Sequence, residues 1–199
     1  MPKVVPSYKE EARDRIVQGA LEAFSSKGYH ETTMDDIAKE IGISKGALYL
    51  YFDSKEQLFT EICKSGQNQF GEILNETFSG GDLLSGSEKF FTRMLEENRF
   101  FNQGLLFETL TEASRNKEIR IALREIYERS IDTIMKFLND LKSKRLIRSD
   151  VDSRLLAKGL IAIYDGIAAS IVVNNEKAEA LKTWNAMMRV LLTGVLVRK

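Results

Sequence analysis

Thr33–Phe52, TMDDIAKEIGISKGALYLYF, reads as two short helices joined by a glycine turn. Met34, Ile37, Ala38 and Ile41 recur at i, i+3, i+4 and i+7, the stripe of one helix face. Thr33 precedes them as N-cap. Asp36, three residues on, completes a capping box, which satisfies orphan amides and places negative charge at the positive end of the helix. Gly42 supplies the residue with φ > 0 that turns the chain out of the helix. Ser44 caps the next helix, with Ile43, Ala47, Leu48 and Phe52 inward and Ser44, Lys45, Gly46, Tyr49 and Tyr51 outward. Serine, lysine, a glycine without a side chain and two tyrosines allow a close approach to a major groove and a hold on its flanking phosphates. The alternative is a hairpin whose polar face is simply solvated, and such a face has no use for two aromatic rings beside a lysine.

Around this hairpin, Arg13 to Glu61 resembles the N-terminal domain of the TetR family of transcriptional regulators. The resemblance rests on Ile16 and Ala20 before Phe24, Lys27-Gly28-Tyr29, Thr32-Thr33, Ile37-Ala38, Gly42, Ser44-Lys45-Gly46, Leu48-Tyr49, Tyr51-Phe52, and Ser54-Lys55-Glu56 followed by Leu58. It implies an all-α chain of about nine helices. Residues 1–54 would be a three-helix helix-turn-helix head, with the motif at 33–52 and the family domain at about 9–69. Residues 55–199 would be a larger ligand-binding and dimerisation domain. The resemblance also implies roles: Thr33 on phosphate, Ser44, Lys45 and Gly46 on DNA at the tip of the third helix, Tyr49 and Tyr51 on backbone or base edges, and Lys55 on phosphate. Leu50 departs from the polar or aromatic residue often found at its position. Lys55 has a physical rationale of its own, because Ser54 and Gln57 form a second capping box at a helix end that attracts phosphate. The alternative is an ordinary solvated lysine.

Composition pulls the other way. Lys+Arg 29 balances Asp+Glu 29, and the first 64 residues hold nine basic and eleven acidic side chains. DNA binding must therefore rest on where the charges lie, with few phosphate contacts per monomer and a moderate salt slope. Pro2 and Pro6 are the only prolines, so the rest of the chain can run as helix. A single cysteine, Cys63, and an N-terminus that turns charged without a long apolar stretch point to a cytoplasmic protein. The apolar run Gly159–Val173 is shorter than the ~20 residues of a membrane span and carries Asp165.

Helices are expected at Tyr8–Lys27, from Lys55 toward Phe78, and at Glu88–Arg99, Asn102–Ala113, Lys117–Lys144, Ser153–Val173 and Glu176–Val197. Residues 79–87, SGGDLLSGS, read as a loop. On the Lys117 helix, Leu123, Tyr127, Ile131, Ile134, Leu138 and Leu141 mark one face. GLIAIYDGIAASIVV, 159–173, is apolar almost all round, and one monomer's core covers only one side of it. Gly166 and Ser170 would admit another helix closely, and Leu181, Trp184, Met188, Leu191 and Val195 follow a three-four spacing. A homodimer through the last two helices follows, which would set two reading helices about one DNA turn apart; the alternative is a monomer with a large core.

Phe90, Phe91, Phe100, Phe101 and Phe107 concentrate aromatic surface in the middle of the chain, with Glu108 and Glu112 one turn apart beside them. Phe101, Phe107, Glu108, Glu112, Tyr164, Asp165 and Trp184 are candidates for an effector site, each with a plain core or surface reading beside it. The resemblance implies a small lipophilic or amphipathic effector and, by the family's more frequent habit, repression. One histidine and one cysteine cannot furnish a histidine-dependent triad or a usual zinc site, so neither enzyme activity nor a cofactor is expected. The competing class is a helical interaction module without DNA binding.

Overall fold

The computed structural model describes residues 6–97 and 103–197. Among the described residues there are nine α-helices: α1 Pro6–Lys27, α2 Met34–Glu40, α3 Lys45–Tyr49, α4 Lys55–Thr77, α5 Leu83–Glu96, α6 Gln103–Ala113, α7 Lys117–Ser143, α8 Ser153–Asn174 and α9 Lys177–Val195. Pro6 stands first in α1, where its missing amide has no intrahelical partner to lose. Two compact units emerge, Met1–Gly66 with Arg99–Arg124, and Gln67–Asn98 with Glu125–Lys199. The first unit thus extends past residue 54 and takes in half of α4, all of α6 and the start of α7.

In the first unit, Ile16, Val17, Ala20 and Phe24 of α1 are buried, as are Ile37 and Ala38 of α2, Leu48 and Phe52, and Leu58, Phe59 and Ile62 of α4. Burial of each large apolar side chain contributes roughly 1.5–3 kcal/mol. Tyr29 stands between Phe24 and Phe59, its ring centroid 5.2 Å from each. Gly42 has φ of +70°, the left-handed exit expected of it, and Gly28 at +83° ends α1 in the same way.

In the second unit, α5 packs on α9 and α9 on α8. Helix α5 begins at Leu83, inside the stretch expected to be a loop. Asp82 is the reason: its carboxylate accepts from the amides of Leu84 and Ser85 at 2.9 and 3.2 Å, an N-cap that outweighs the helix cost of one glycine. On α7, Ile131, Ile134, Leu138 and Leu141 are buried as expected, but Tyr127 is exposed and Ile119, Ala122 and Ile126 take the inner positions. A 3.6-residue period drifts away from a fixed spacing over 27 residues, so the stripe shifts by one.

Phe91 stacks on Trp184 at 4.9 Å, and Tyr164 meets both edge-on. Trp184 donates its indole N–H to the Ser87 carbonyl at 2.9 Å. Trp184 and Met188 therefore serve their own unit's core, while the outward apolar side of α9 is Met187, Val190 and, just past the helix, Val197. On α8, Ala157, Tyr164, Ile167, Ala168 and Ile171 are buried, and Leu155, Gly159, Ala162, Gly166, Ser170 and Val173 run along the opposite, exposed side. Helix α8 is longer than the apolar run suggested. It spans 22 residues, and an 18-residue stretch within it has mean hydropathy 1.7, so it is long and apolar enough by composition to cross a membrane, although its inner side packs on α9.

Candidate nucleic-acid interface

The hairpin forms by local bonds that its sequence specifies. Thr33 Oγ1 accepts from the Asp36 amide at 3.1 Å, and the Asp36 carboxylate accepts from the Thr33 amide at 3.0 Å, closing the capping box. Lys27 donates to the other Asp36 oxygen at 2.8 Å. The Lys27 bond, followed by those from Thr33, holds the Asp36 carboxyl well below the usual carboxylate range. Ser44 Oγ accepts from the Ala47 amide at 3.1 Å. Helix α3 spans only Lys45–Tyr49, and Tyr51 and Phe52 still bond back to the Leu48 carbonyl at 3.0 and 3.1 Å.

Thr33, Ser44, Lys45, Gly46 and Tyr49 are all exposed, so most of the expected reading face is turned to solvent. Lys45 Nζ lies 2.7 Å from Asp35 Oδ1 on α2, and that hydrogen bond raises the Lys45 pKa. Both side chains are more than half exposed, and pairs of this kind are worth little, so the ammonium can exchange carboxylate for phosphate. Asp35 as the lysine's partner was not foreseen, because the pairing crosses the turn and follows no helical period.

Two expected contacts are placed differently. Tyr51 is half-buried rather than outward. With Leu50, Lys9, Glu10 and Arg13 it lines a cleft of about 300 Å³ between α1 and the end of α3. Arg13 anchors that side by an ion pair to Glu61 at 3.0 Å and by stacking 4.5 Å over the Phe52 ring. Lys55 turns inward: Nζ donates to the carbonyls of Tyr29, His30 and Thr32 at 2.8, 3.2 and 2.9 Å. The second capping box is also displaced by one residue, since Gln57 Oε1 accepts from the Asp53 amide, not that of Ser54.

The expected effector residues that the structure describes are divided between the two units. Glu108 and Glu112 belong to the first unit, where Glu108 accepts from the His30 amide at 2.8 Å and Glu112 Oε2 lies 3.5 Å from His30 Nδ1. Both carboxylates meet the turn after α1. Phe107 is half-buried on the same helix, and Phe100 and Phe101 lie outside the described residues. Tyr164 and Trp184 are core of the second unit. Asp165, half-buried on α8, has its pKa pushed up to about 6 by desolvation.

A family model described as bacterial regulatory proteins, tetR family, matches residues 16–62, and one described as BetI-type transcriptional repressor, C-terminal, matches 96–196. The chain is 27% identical over 182 residues to the HTH-type transcriptional regulator YfiR of Bacillus subtilis, covering 89% of each. Among solved structures, Salmonella enterica GusR matches with a TM-score of 0.76 at 27% identity, over 98% of this chain and 99% of that one. FadR of Bacillus subtilis, solved in complex with stearoyl-CoA, matches with a TM-score of 0.73 over 91% of this chain and 98% of that one; at 23% identity this is a likeness of fold.

Proposed function

The chain belongs to the TetR family of bacterial regulatory proteins, and from that premise we propose that it represses transcription as a homodimer on a pseudo-palindromic operator and is released by a small lipophilic or amphipathic effector. It is a ligand-responsive transcriptional regulator. The observation that carries the proposal is the exposed face of Ser44, Lys45, Gly46 and Tyr49 on α3. Lysine and tyrosine kept in water at the tip of a helix-turn-helix can meet phosphate and base edges in a major groove. A helical interaction module that had lost DNA binding would have no reason to keep them there.

The exposed stripe of α8, ending in Val173, and Val190 on α9 support a second copy as the partner that covers them. The stearoyl-CoA in the FadR structure supports an amphipathic effector. Release works by population shift: the free dimer holds its heads at operator spacing, and an effector that favours another spacing draws it off the DNA. A coupling of ~1–3 kcal/mol lowers affinity by about five- to 150-fold. No catalytic step enters this scheme, and its place of action is the cytoplasm.

Genomic fragments retained by the purified protein should share a two-fold-related motif, and footprinting should find half-sites about one helical turn apart or a little more. Fragments without a common motif would refute the operator reading. An effector found by its rise in melting temperature should weaken binding to that motif; if none does, the release mechanism is wrong.

A further inference from the structure

Residues 28–32 join α1 to the cap of α2 without a hydrogen-bond ladder of their own, and a turn of this kind must have its polar backbone groups satisfied from outside. Two side chains from distant parts of the chain do this. Lys55, in the first turn of α4, places its ammonium against the carbonyls of residues 29, 30 and 32 and lies 4.5 Å over the Tyr29 ring. An ammonium has three N–H donors, and all three are engaged. Glu108 of α6 takes the His30 amide, with both carboxylate oxygens so near Gly28 that a Cβ there would lie 2.7 Å from each. Thr32, wholly buried, closes the same turn by donating to the Gly28 carbonyl at 2.6 Å.

We propose that Lys55 is a positioning residue and not a phosphate ligand: together with Glu108 it clamps the α1–α2 turn and so sets the cap Thr33 and helix α2 in place beneath the reading helix. To grip a phosphate, the ammonium would have to abandon three carbonyls at once, whereas Lys45 has only an exposed carboxylate to leave. The two lysines therefore differ in kind. The proposal rests on the DNA-binding reading for its consequence, but the clamp itself is a property of the free protein.

The test compares Lys55→Met, Lys55→Arg and Lys45→Ala with the parent chain. Affinity for a random-sequence duplex of about 30 base pairs is measured across salt, and amide hydrogen exchange of residues 29–36 is measured without DNA. Arginine separates the two roles, since its planar fork serves a phosphate at least as well as lysine but does not fit a cradle built for a compact ammonium. Both Lys55 variants should bind about tenfold more weakly with an unchanged salt slope, and exchange at residues 29–36 should quicken by about tenfold. Lys45→Ala should lower the slope by about 0.9 and leave exchange alone. Unchanged exchange in both Lys55 variants overturns the clamp whatever the DNA does. A slope reduced by about 0.9 in Lys55→Met and restored in Lys55→Arg makes Lys55 a phosphate ligand instead. Should Lys55→Met fail to fold, Lys55→Arg decides alone. A parent chain that binds no duplex refutes DNA binding, and the exchange measurement still judges the clamp.

Discussion

Two outward faces of this chain want different things. On α3 the exposed groups are a hydroxyl, an ammonium, a bare glycine and a phenol, and the ammonium already has a carboxylate for company. Water satisfies such a face, so nothing forces it to be covered and its partner can come and go. Along α8 and α9 the exposed groups are Leu155 at 66%, Val173 at 80% and Val190 at 69%, with small residues between them on α8. Water does not satisfy that face, and the small residues permit a helix to approach closely. The contrast is between a polar face that water satisfies and an apolar one that it does not, and the proposed partners, DNA and a second copy, follow that difference.

The largest effect should come from charging the apolar face. Val173→Asp combined with Val190→Asp puts two carboxylates where a second copy would pack, and sedimentation at micromolar concentration should then find monomers. Operator affinity should fall by about 10²-fold or more, because two half-sites no longer bind as one ligand. A variant that remains dimeric would show that the contrast has been drawn on the wrong helices. Next in size are Lys45→Ala and Tyr49→Ala, each expected to weaken operator binding about tenfold by loss of a phosphate or base-edge contact. Neither should alter dimerisation or helix content, as gel filtration and circular dichroism would check. A loss of folding in Tyr49→Ala would mean that the ring, 41% exposed, belongs to the core after all.

How far these faces could be read from the chain depended on the range of the signals. The hairpin was legible because everything that makes it is local: Thr33 and Asp36 are three apart, Ser44 bonds to Ala47, and Gly42 turns the chain where it stands. The contacts of Lys55 were not legible because its partners lie 23 to 26 residues back, and no spacing rule announces three carbonyls waiting for an ammonium. The bond of Glu108 was hidden for the same reason, its partner amide being 78 residues away. On α9 the periodicity located an apolar stripe but not its owner. Trp184 and Met188 face the home core, and the neighbouring Met187 and Val190 are left exposed. A three-four spacing marks the apolar positions of a helix and does not say which neighbour covers each of them.

The same functional group distinguishes the two regions on a finer scale. Near the reading helix, Asp36 accepts hydrogen bonds from Lys27 and Thr33 and is held far into its charged form. On α8, Asp165 is pushed up to about 6 by burial alone. A native pKa above the unfolded value means that the folded chain binds more protons than the unfolded chain between about pH 4 and pH 6. The protonated carboxyl therefore favours the fold, and that contribution is lost as pH rises through about 6. Asp165→Asn keeps the shape and removes the charge, so it should raise the melting temperature at pH 7.5 and do little at pH 4.5. After discounting for the part of the carboxyl still in water, the gain is on the order of 1 kcal/mol, or about 2–4 °C. The measurement is the gap in melting temperature between variant and parent from pH 4.5 to 7.5. A gap that widens with pH sets Asp165 apart from the paired carboxylates of the head, and a flat gap would mean that in solution this group is as well served as they are.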